Sequence, residues 1–301
     1  MARALLIANP GAARTHSGVV RQIERVFTTA GWTIDTVTTD GPGDARRFAQ
    51  AGVEQSVDMV AVLGGDGTIM QVASSLVGTE VPMGVLPGGT GNQLAGNLRL
   101  SFNPVRAAAT LIRGAPRGFD LGRLDRADGA HYFAVGGGAG LDARVMAATT
   151  SVQKRRWGQL AYVATTLRLL TDVVCVPFHI EADGAAYDFD AALILVANCG
   201  EIIPPLFKLG QGVSPYDGIL DVLILSATSV GGGVRALWHV VREAKGEFGK
   251  TVFATRVSGA HIEVSTPAGV QPVQLDGEPT GDTPFSATVM PAAIQLIHPQ
   301  G

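Results

Sequence analysis

The stretch Asp58-Met-Val-Ala-Val-Leu-Gly-Gly-Asp-Gly-Thr68 decides the fold. Asp58–Leu63 is a short apolar run, the pattern of a strand buried on both faces. Gly64 and Gly65 stop it, and Thr68–Leu76 then repeats apolar residues at helical spacing. A buried strand passing through a glycine-rich loop into a helix is one unit of a parallel α/β sheet. Ligands of such sheets bind beyond the carboxyl ends of the strands. Gly64, Gly65 and Gly67 let backbone N–H groups approach a phosphate, and the helix N-terminus favours the anion. Asp66 would be repelled there unless a cation bridges the two charges, so the loop points to a metal–nucleotide complex. The pentapeptide alone also fits a tight turn with Asp66 as helix N-cap.

The same pattern recurs outward in both directions. Val81–Leu86 reads as a strand, Pro87-Gly88-Gly89-Thr90-Gly91-Asn92 as a second loop and Gln93–Leu98 as a helical turn. Toward the N-terminus, Ala2–Ala8 is a buried strand ending at Asn9-Pro10. Val19, Ile23, Val26, Phe27 and Ala30 share a helix face stopped by Gly31, and Trp32–Thr38 alternates as a strand before Thr39. Asp44–Gln50 and Asn103–Arg113 read as helices. Strands alternating with helices give a parallel sheet covered on both faces. Asn9, Thr39 and the two glycine loops then stand at one sheet edge. No G-x-G-x-x-G follows the first strand, which excludes a dinucleotide fingerprint.

The rhythm changes near Gly118. Phe119–Leu124, His131–Val135, Val173–Ala182, Tyr187–Ala197, Ile219–Leu225, Val252–Ser258, His261–Ser265, Val273–Leu275 and Ala287–Met290 read as strands. Two helices interrupt them, one on Leu160, Val163, Leu167 and Leu170, the other on Val234, Leu237, Trp238, Val241 and Phe248. Many strands separated by turn signals predict a mainly antiparallel sandwich. The expected class is α/β: an α/β nucleotide-binding domain over 1–118 and a β-sandwich domain over 119–301, with the C-terminal tail packing back on the first. Glycine blocks at strand ends, Gly136–Gly138 among them, suggest loops moulded around a ligand.

Composition narrows the function classes. The 301 residues carry a net charge of −3, which argues against a general nucleic-acid binder. Apolar residues are 46% and charged residues 16%, so the chain folds and has apolar surface to offer a greasy partner. Val81–Leu98 and Thr283–Gly301 are uncharged, but prolines and glycines interrupt them, and neither reads as a membrane span. The N-terminal apolar run is too short for a signal peptide. Cys175 and Cys199 sit in strand-like runs as small hydrophobes, not as a disulfide framework. A cytoplasmic protein is expected. The histidines show no metal-ligand spacing. Ala244–Thr251 loosely matches a P-loop, but its helix-then-strand context is inverted.

In order along nearly the whole chain, these motifs resemble the diacylglycerol kinase catalytic-domain family, which includes bacterial lipid kinases and sphingosine kinases. Asn9-Pro10 resembles its opening element, Thr39 its nucleotide-contacting threonine, Gly64–Thr68 its G-G-D-G-T signature and Pro87–Asn92 its G-T-x-N loop. Asp120, Tyr132-Phe133, Lys154–Tyr162 and Asn198 follow in order. Asp217-Gly218-Ile219-Leu220-Asp221 is similar to its D-G-x-x-D segment and Asp276-Gly277-Glu278 to its D-G-E. Gln71 and Gln93 depart from the acidic residues frequent there. NAD kinases share the first signature, but the later segments fit lipid kinases better.

The resemblance implies ATP-dependent phosphorylation of a lipid hydroxyl, diacylglycerol-type foremost. It implies a nucleotide held by Asn9, Thr39, Gly64, Gly65, Asp66, Gly67, Thr68, Gly89, Thr90 and Asn92. Asp66 would hold a catalytic Mg²⁺ or its water shell, and Glu278 would be the general base, with Asp276 the alternative. A second, structural Mg²⁺ would take Ser214, Asp217 and the Ile219 carbonyl, an all-oxygen set that suits the ion. Two other readings stay open: an NAD-kinase-like enzyme with a soluble acceptor, and a non-catalytic lipid- or nucleotide-binding module. The expected partners are the lipid substrate and a transiently visited membrane surface, with a homodimer left open. Lys154-Arg155-Arg156-Trp157 or the apolar stretch Ile202–Phe207 would make the membrane contact.

Overall fold

The computed structural model describes residues 1–126, 129–140, 175–204, 207–209, 212–226, 254–267 and 269–300. The two helices expected around Leu160–Leu170 and Val234–Phe248, the Lys154–Trp157 cluster and Ala244–Thr251 lie outside the described residues.

The first half runs β1 (Arg3–Ala8), α1 (Ser17–Thr29), β2 (Thr33–Thr38), α2 (Asp44–Glu54), β3 (Met59–Gly64), α3 (Asp66–Leu76), β4 (Met83–Pro87), α4 (Gln93–Asn97) and α5 (Pro104–Arg113). The strands continue with β5 (Ala115–Arg126), β6 (Gly129–Phe133), β7 (Gly136–Gly140), β8 (Val176–Ala182), β9 (Ala185–Ala191) and β10 (Leu193–Ala197). They end with β11 (Glu201–Ile203), β12 (Phe207–Lys208), β13 (Leu220–Leu225), β14 (Ala254–Gly259), β15 (His261–Ser265), β16 (Pro272–Leu275), β17 (Glu278–Asp282) and β18 (Phe285–His298).

The chain forms two compact units. The first is Met1–Phe119 together with Pro291–Gly301, and the second is Asp120–Met290. In the first unit the strand order is β2-β1-β3-β4, all parallel, with the end of β18 added beside β4 at Leu296 opposite Met83. β3 is buried along its whole length, as its unbroken apolar run requires. Helix α1 turns Ile23 and Phe27 into the core and stops at Gly31, whose φ of +83° suits glycine. Asn103 caps α5 by accepting the N–H groups of Val105 and Arg106, with Pro104 in the first turn. Because β2 lies on one side of β1 and β3 on the other, the sheet reverses its winding direction between β1 and β3. That switch point is where open α/β sheets form a crevice.

The second unit is a sandwich. One sheet has the order β14-β13-β10-β7-β16-β17, and across the core lie β18-β15-β8-β9 with β5 and β6. The described pairings within it are antiparallel. Phe133, Phe178, Ile180, Ile262 and Phe285 interdigitate with Ile194, Val196, Val222, Ile224 and Val273 in one buried cluster.

Three expectations change. The run Tyr187–Ala197 is two strands, β9 and β10, which belong to different sheets. Gly136–Gly138 is not a ligand-moulded loop. It lies in β7, fully buried between β10 and β16. A Cβ on Gly137 would overlap Leu275 Cδ2, and one on Gly136 would meet the Val196 carbonyl at 2.9 Å. Cys199 is buried, but Cys175 is partly exposed, and neither is in a disulfide.

Candidate active site

Beside the switch point of the first unit, the glycine loops after β3 and β4 touch. Gly88 N–H donates to Gly64 O at 2.8 Å, and a Cβ on Gly89 would stand 2.7 Å from Gly65 Cα. Only glycine permits backbones this close. The first strand is tied into the same point. Asn9 N–H donates to Leu63 O, its Nδ2 donates to Thr68 Oγ1 at 2.7 Å, and its Oδ1 accepts Gly11 N–H at 2.9 Å. Thr39 is buried at the end of β2, its N–H on Ala8 O.

Asp66 spans the loops. Its Oδ2 accepts Asn92 N–H at 2.9 Å and its Oδ1 accepts Gln93 N–H at 2.7 Å. Burial pushes its carboxyl above the usual carboxylate range, and those two N–H bonds pull it back. A Cβ on Gly91 would lie 2.5 Å from Asp66 Oδ2, so Asp66 requires glycine at 91. Asn92 is left-handed (φ +51°) and buried, and its amide both accepts from Gly89 N–H and donates to Gly89 O. Asn92 therefore shapes the second loop from within, while Thr90 stands exposed at its tip.

Helix α3 starts beside this joint with Gly65 as N-cap and no side-chain cap. Gly67, in its first turn, is exposed, and a Cβ there would meet nothing within 4 Å among the described residues. An uncapped helix N-terminus with room in front of it can take an anion such as a phosphate. Motif reading passes over Arg14, whose N–H donates to Gly88 O and whose guanidinium donates to Phe102 O. A lone cation after Gly11-Ala12-Ala13, in a loop at the same sheet edge, is the sequence signal for it. Gln71, on α3, has a side-chain oxygen buried without a hydrogen-bond partner among the described residues. A neutral amide is cheaper there than a carboxylate.

The remaining candidates belong to the second unit. Asp120, buried, donates its N–H to Pro215 O and accepts Gly218 N–H on Oδ2 at 2.9 Å. That anchors the turn carrying Ser214, Asp217 and Ile219. Asp217 Oδ1 accepts Ile219 N–H at 3.1 Å. Burial, and then the neighbouring charge of Asp120, raise the Asp217 carboxyl above its ordinary value. Asp221 is buried beside Ser258 and Arg256, and burial raises its carboxyl too. No cluster of three or more His, Cys, Asp or Glu able to hold a metal occurs among the described residues. A cation here would therefore need the Ser214 hydroxyl and the Ile219 carbonyl. Crowded carboxylates with oxygen neighbours do suit a hard cation.

Glu278 opens β17 and is exposed, directly after the two-residue turn Asp276-Gly277. Asp276 instead accepts the N–H groups of Ala134, Val135 and Gly136. Ile202 packs against Leu195, Ala197, Leu209 and Leu223, so it serves the sandwich; Pro205 and Leu206 lie outside the described residues. Cys199 is fully buried, and burial keeps its thiol well above its ordinary range, which rules out a thiolate nucleophile. No helix among the described residues is long and apolar enough to cross a membrane.

Two family models match the chain: the diacylglycerol kinase catalytic domain over residues 3–124 and the YegS C-terminal NAD kinase beta sandwich-like domain over 137–298. A diacylglycerol kinase of Mycobacterium tuberculosis (strain H37Rv) is 29% identical over 85% of this chain and 82% of its own length. A diacylglycerol kinase of Bacillus subtilis (strain 168) is 27% identical over 100% of this chain and 97% of its own. Solved Bacillus anthracis chains share the fold. One superposes with a TM-score of 0.83 at 24% identity, covering 98% of this chain and 96% of that one. A second, a diacylglycerol kinase, does so with a TM-score of 0.76 at 20% identity and the same coverage.

Proposed function

Because this chain belongs to the diacylglycerol kinase catalytic-domain family of lipid kinases, we propose that it moves the γ-phosphoryl group of ATP onto the hydroxyl of a diacylglycerol-type lipid. The observation that carries the nucleotide reading is the joint at Gly64–Gly65 and Gly88–Gly89, with the uncapped start of α3 and open space at Gly67 beside it. In this reading Asn9, Thr39, Gly64–Thr68, Gly89, Thr90 and Asn92 form the nucleotide site. Asn9 and Asn92 shape it, and Thr90 and the amides at the start of α3 meet the phosphates. Asp66 locks the two loops together and would hold a Mg²⁺ or its water shell. A second Mg²⁺ would be held by Ser214, Asp217 and the Ile219 carbonyl. When bound, Mg²⁺ supplies positive charge against the phosphates and against the crowded carboxylates.

Glu278 is the proton acceptor. The lipid hydroxyl oxygen bonds to the γ-phosphorus, its proton passes to the Glu278 carboxylate, and the bond to the bridging oxygen breaks to release ADP. General-base help of this kind is worth about 10²–10⁴-fold. Lys154–Arg156 and Trp157 favour transient docking on an anionic membrane, where such an acceptor resides.

The test is product analysis. A total lipid extract, a panel of purified lipid alcohols and NAD are each incubated with labelled ATP, and products are identified by mass spectrometry. A labelled phospholipid is expected. Label on NAD alone would overturn the lipid reading. Glu278→Gln is expected to keep ATP binding within a few-fold and lose most of kcat; a near-normal kcat would remove Glu278 from the mechanism.

A further inference from the structure

We propose that Asp276 is a positioning residue whose carboxylate brackets the Ala134–Gly136 turn and so fixes the hairpin that presents Glu278. The proposal rests on the reading of Glu278 as proton acceptor. Two carboxylates stand two residues apart in Asp276-Gly277-Glu278, and sequence alone cannot divide the work between them. Their surroundings differ completely.

Leu275 pairs with Glu278 across a two-residue hairpin. Asp276 and Gly277 have φ of +46° and +88°, the left-handed pair that an Asp-Gly turn provides. Asp276 Oδ2 accepts Ala134 N–H at 2.7 Å, and Oδ1 accepts both Val135 and Gly136 N–H at 2.9 Å. Its own N–H returns to Gly136 O at 2.8 Å. Gln274, buried, accepts Gly277 N–H on Oε1 at 2.7 Å. The bracketed turn is gripped from its other side as well. Its carbonyls at Ala134 and Val135 accept from Asn198 Nδ2, Cys199 Sγ and the backbone N–H groups of Asn198 and Cys199.

A carboxylate has about four lone-pair sites, and Asp276 commits three of them to backbone N–H groups. To reach a substrate hydroxyl it would have to break those bonds and strand three buried-turn donors. Glu278 is exposed and pays no such penalty. The anchored carboxylate therefore holds the hairpin, and the exposed one does the chemistry. Misplacing a reacting group by about 1 Å costs on the order of 10²-fold in rate, so the bracket matters to turnover without touching substrate.

The experiment combines amide hydrogen exchange at Ala134–Gly136 with pH profiles of kcat, using ATP and 1,2-dioleoylglycerol in detergent micelles. In Asp276→Asn, one acceptor becomes a donor facing an N–H. Exchange at Ala134–Gly136 should accelerate and kcat should fall by about 10–10²-fold. The fall of kcat at acid pH should remain, because Glu278 is intact. Gln274→Met leaves both carboxylates in place and should lower kcat a few-fold with the acid fall unchanged. Glu278→Gln should weaken the acid fall relative to the wild type and leave exchange as in the wild type. Loss of the acid fall in Asp276→Asn with slow exchange at Ala134–Gly136 would make Asp276 the base and overturn the proposal. Faster exchange with normal kcat would overturn it too, since the bracket would not serve Glu278. If Asp276→Asn does not fold, normal kcat in Gln274→Met with a loosened turn overturns it. A Glu278→Gln enzyme with normal kcat defeats the base reading instead, and the exchange data still decide whether Asp276 brackets the turn.

Discussion

The glycines of the first unit's loops and those of β7 look alike in sequence and do opposite things. In β7, Gly136, Gly137 and Gly140 leave no space for a side chain. Leu275, the Val196 carbonyl and the Ala192 carbonyl fill the room that side chains would need. At Gly88–Gly89 the absent side chains let two backbones meet. At Gly67 nothing among the described residues fills the gap. A glycine that its own fold does not require, in a helix it weakens by about 1 kcal/mol, marks space kept for something else. Clustering of glycine is therefore a poor guide to a site, and a helical glycine with open space beside it is a better one.

The largest expected effect comes from the joint itself. Gly89→Ala drives a methyl into Gly65 Cα and parts the loops. We expect a loss of about 10²-fold or more in kcat/KM for ATP with a small change in thermal midpoint. Nucleotide titration and calorimetry check this, and unchanged ATP affinity would show that the loops are not a phosphate cradle. Next is Gly137→Ala, where the methyl collides with Leu275. Overpacking there should cost about 1–3 kcal/mol, read by denaturant unfolding, and Leu275→Ala in the same chain should restore part of it. A neutral Gly137→Ala would mean that β7 has slack.

Gly67→Ala should separate stability from binding. The helix should gain up to about 1 kcal/mol while ATP binding weakens. If stability and affinity rise together, the open space has no ligand.

The smallest expected effect is a slope with pH. The Asp66 carboxyl is raised by burial, so its neutral form is the one the fold favours. Its contribution to stability is then greatest below 3.8 and declines as pH rises through the folded-state value. Asp183 is the opposite case: N–H bonds from Ala260 and His261 lower its carboxyl, and its contribution is present above 3.8 and lost as pH falls. Urea unfolding of Asp66→Asn and Asp183→Asn between pH 3 and 7 should show wild-type-minus-variant differences of opposite slope. Parallel slopes would contradict both assignments.

The alternation of strand and helix up to Arg113 was legible because each apolar run has one period and one stop. β7 was not, because glycine carries no pattern and its burial is decided by β10 and β16 on either side. β17 reads Glu-Pro-Thr-Gly-Asp, polar and interrupted, and only its pairing with β16 makes it a strand. Asn9, Asp66 and Asn92 were legible as candidate site residues. That Asp66 and Asp276 are each spent on a neighbouring turn's amides depends on contacts between distant segments. Period and spacing carry no trace of these.

The position of β18 has a consequence for synthesis. The first unit draws its final strand from residues 291–301, and Ile294, Leu296 and Ile297 are buried there. Gly78 N–H is satisfied only through Ala293 O among the described contacts, and Gly114 lies against His298. A nascent chain that has emerged as far as Arg113 thus has every helix of that unit and an open flank along β4. The half that begins first finishes last, and until it does, β4 offers an unpaired edge to any neighbouring chain.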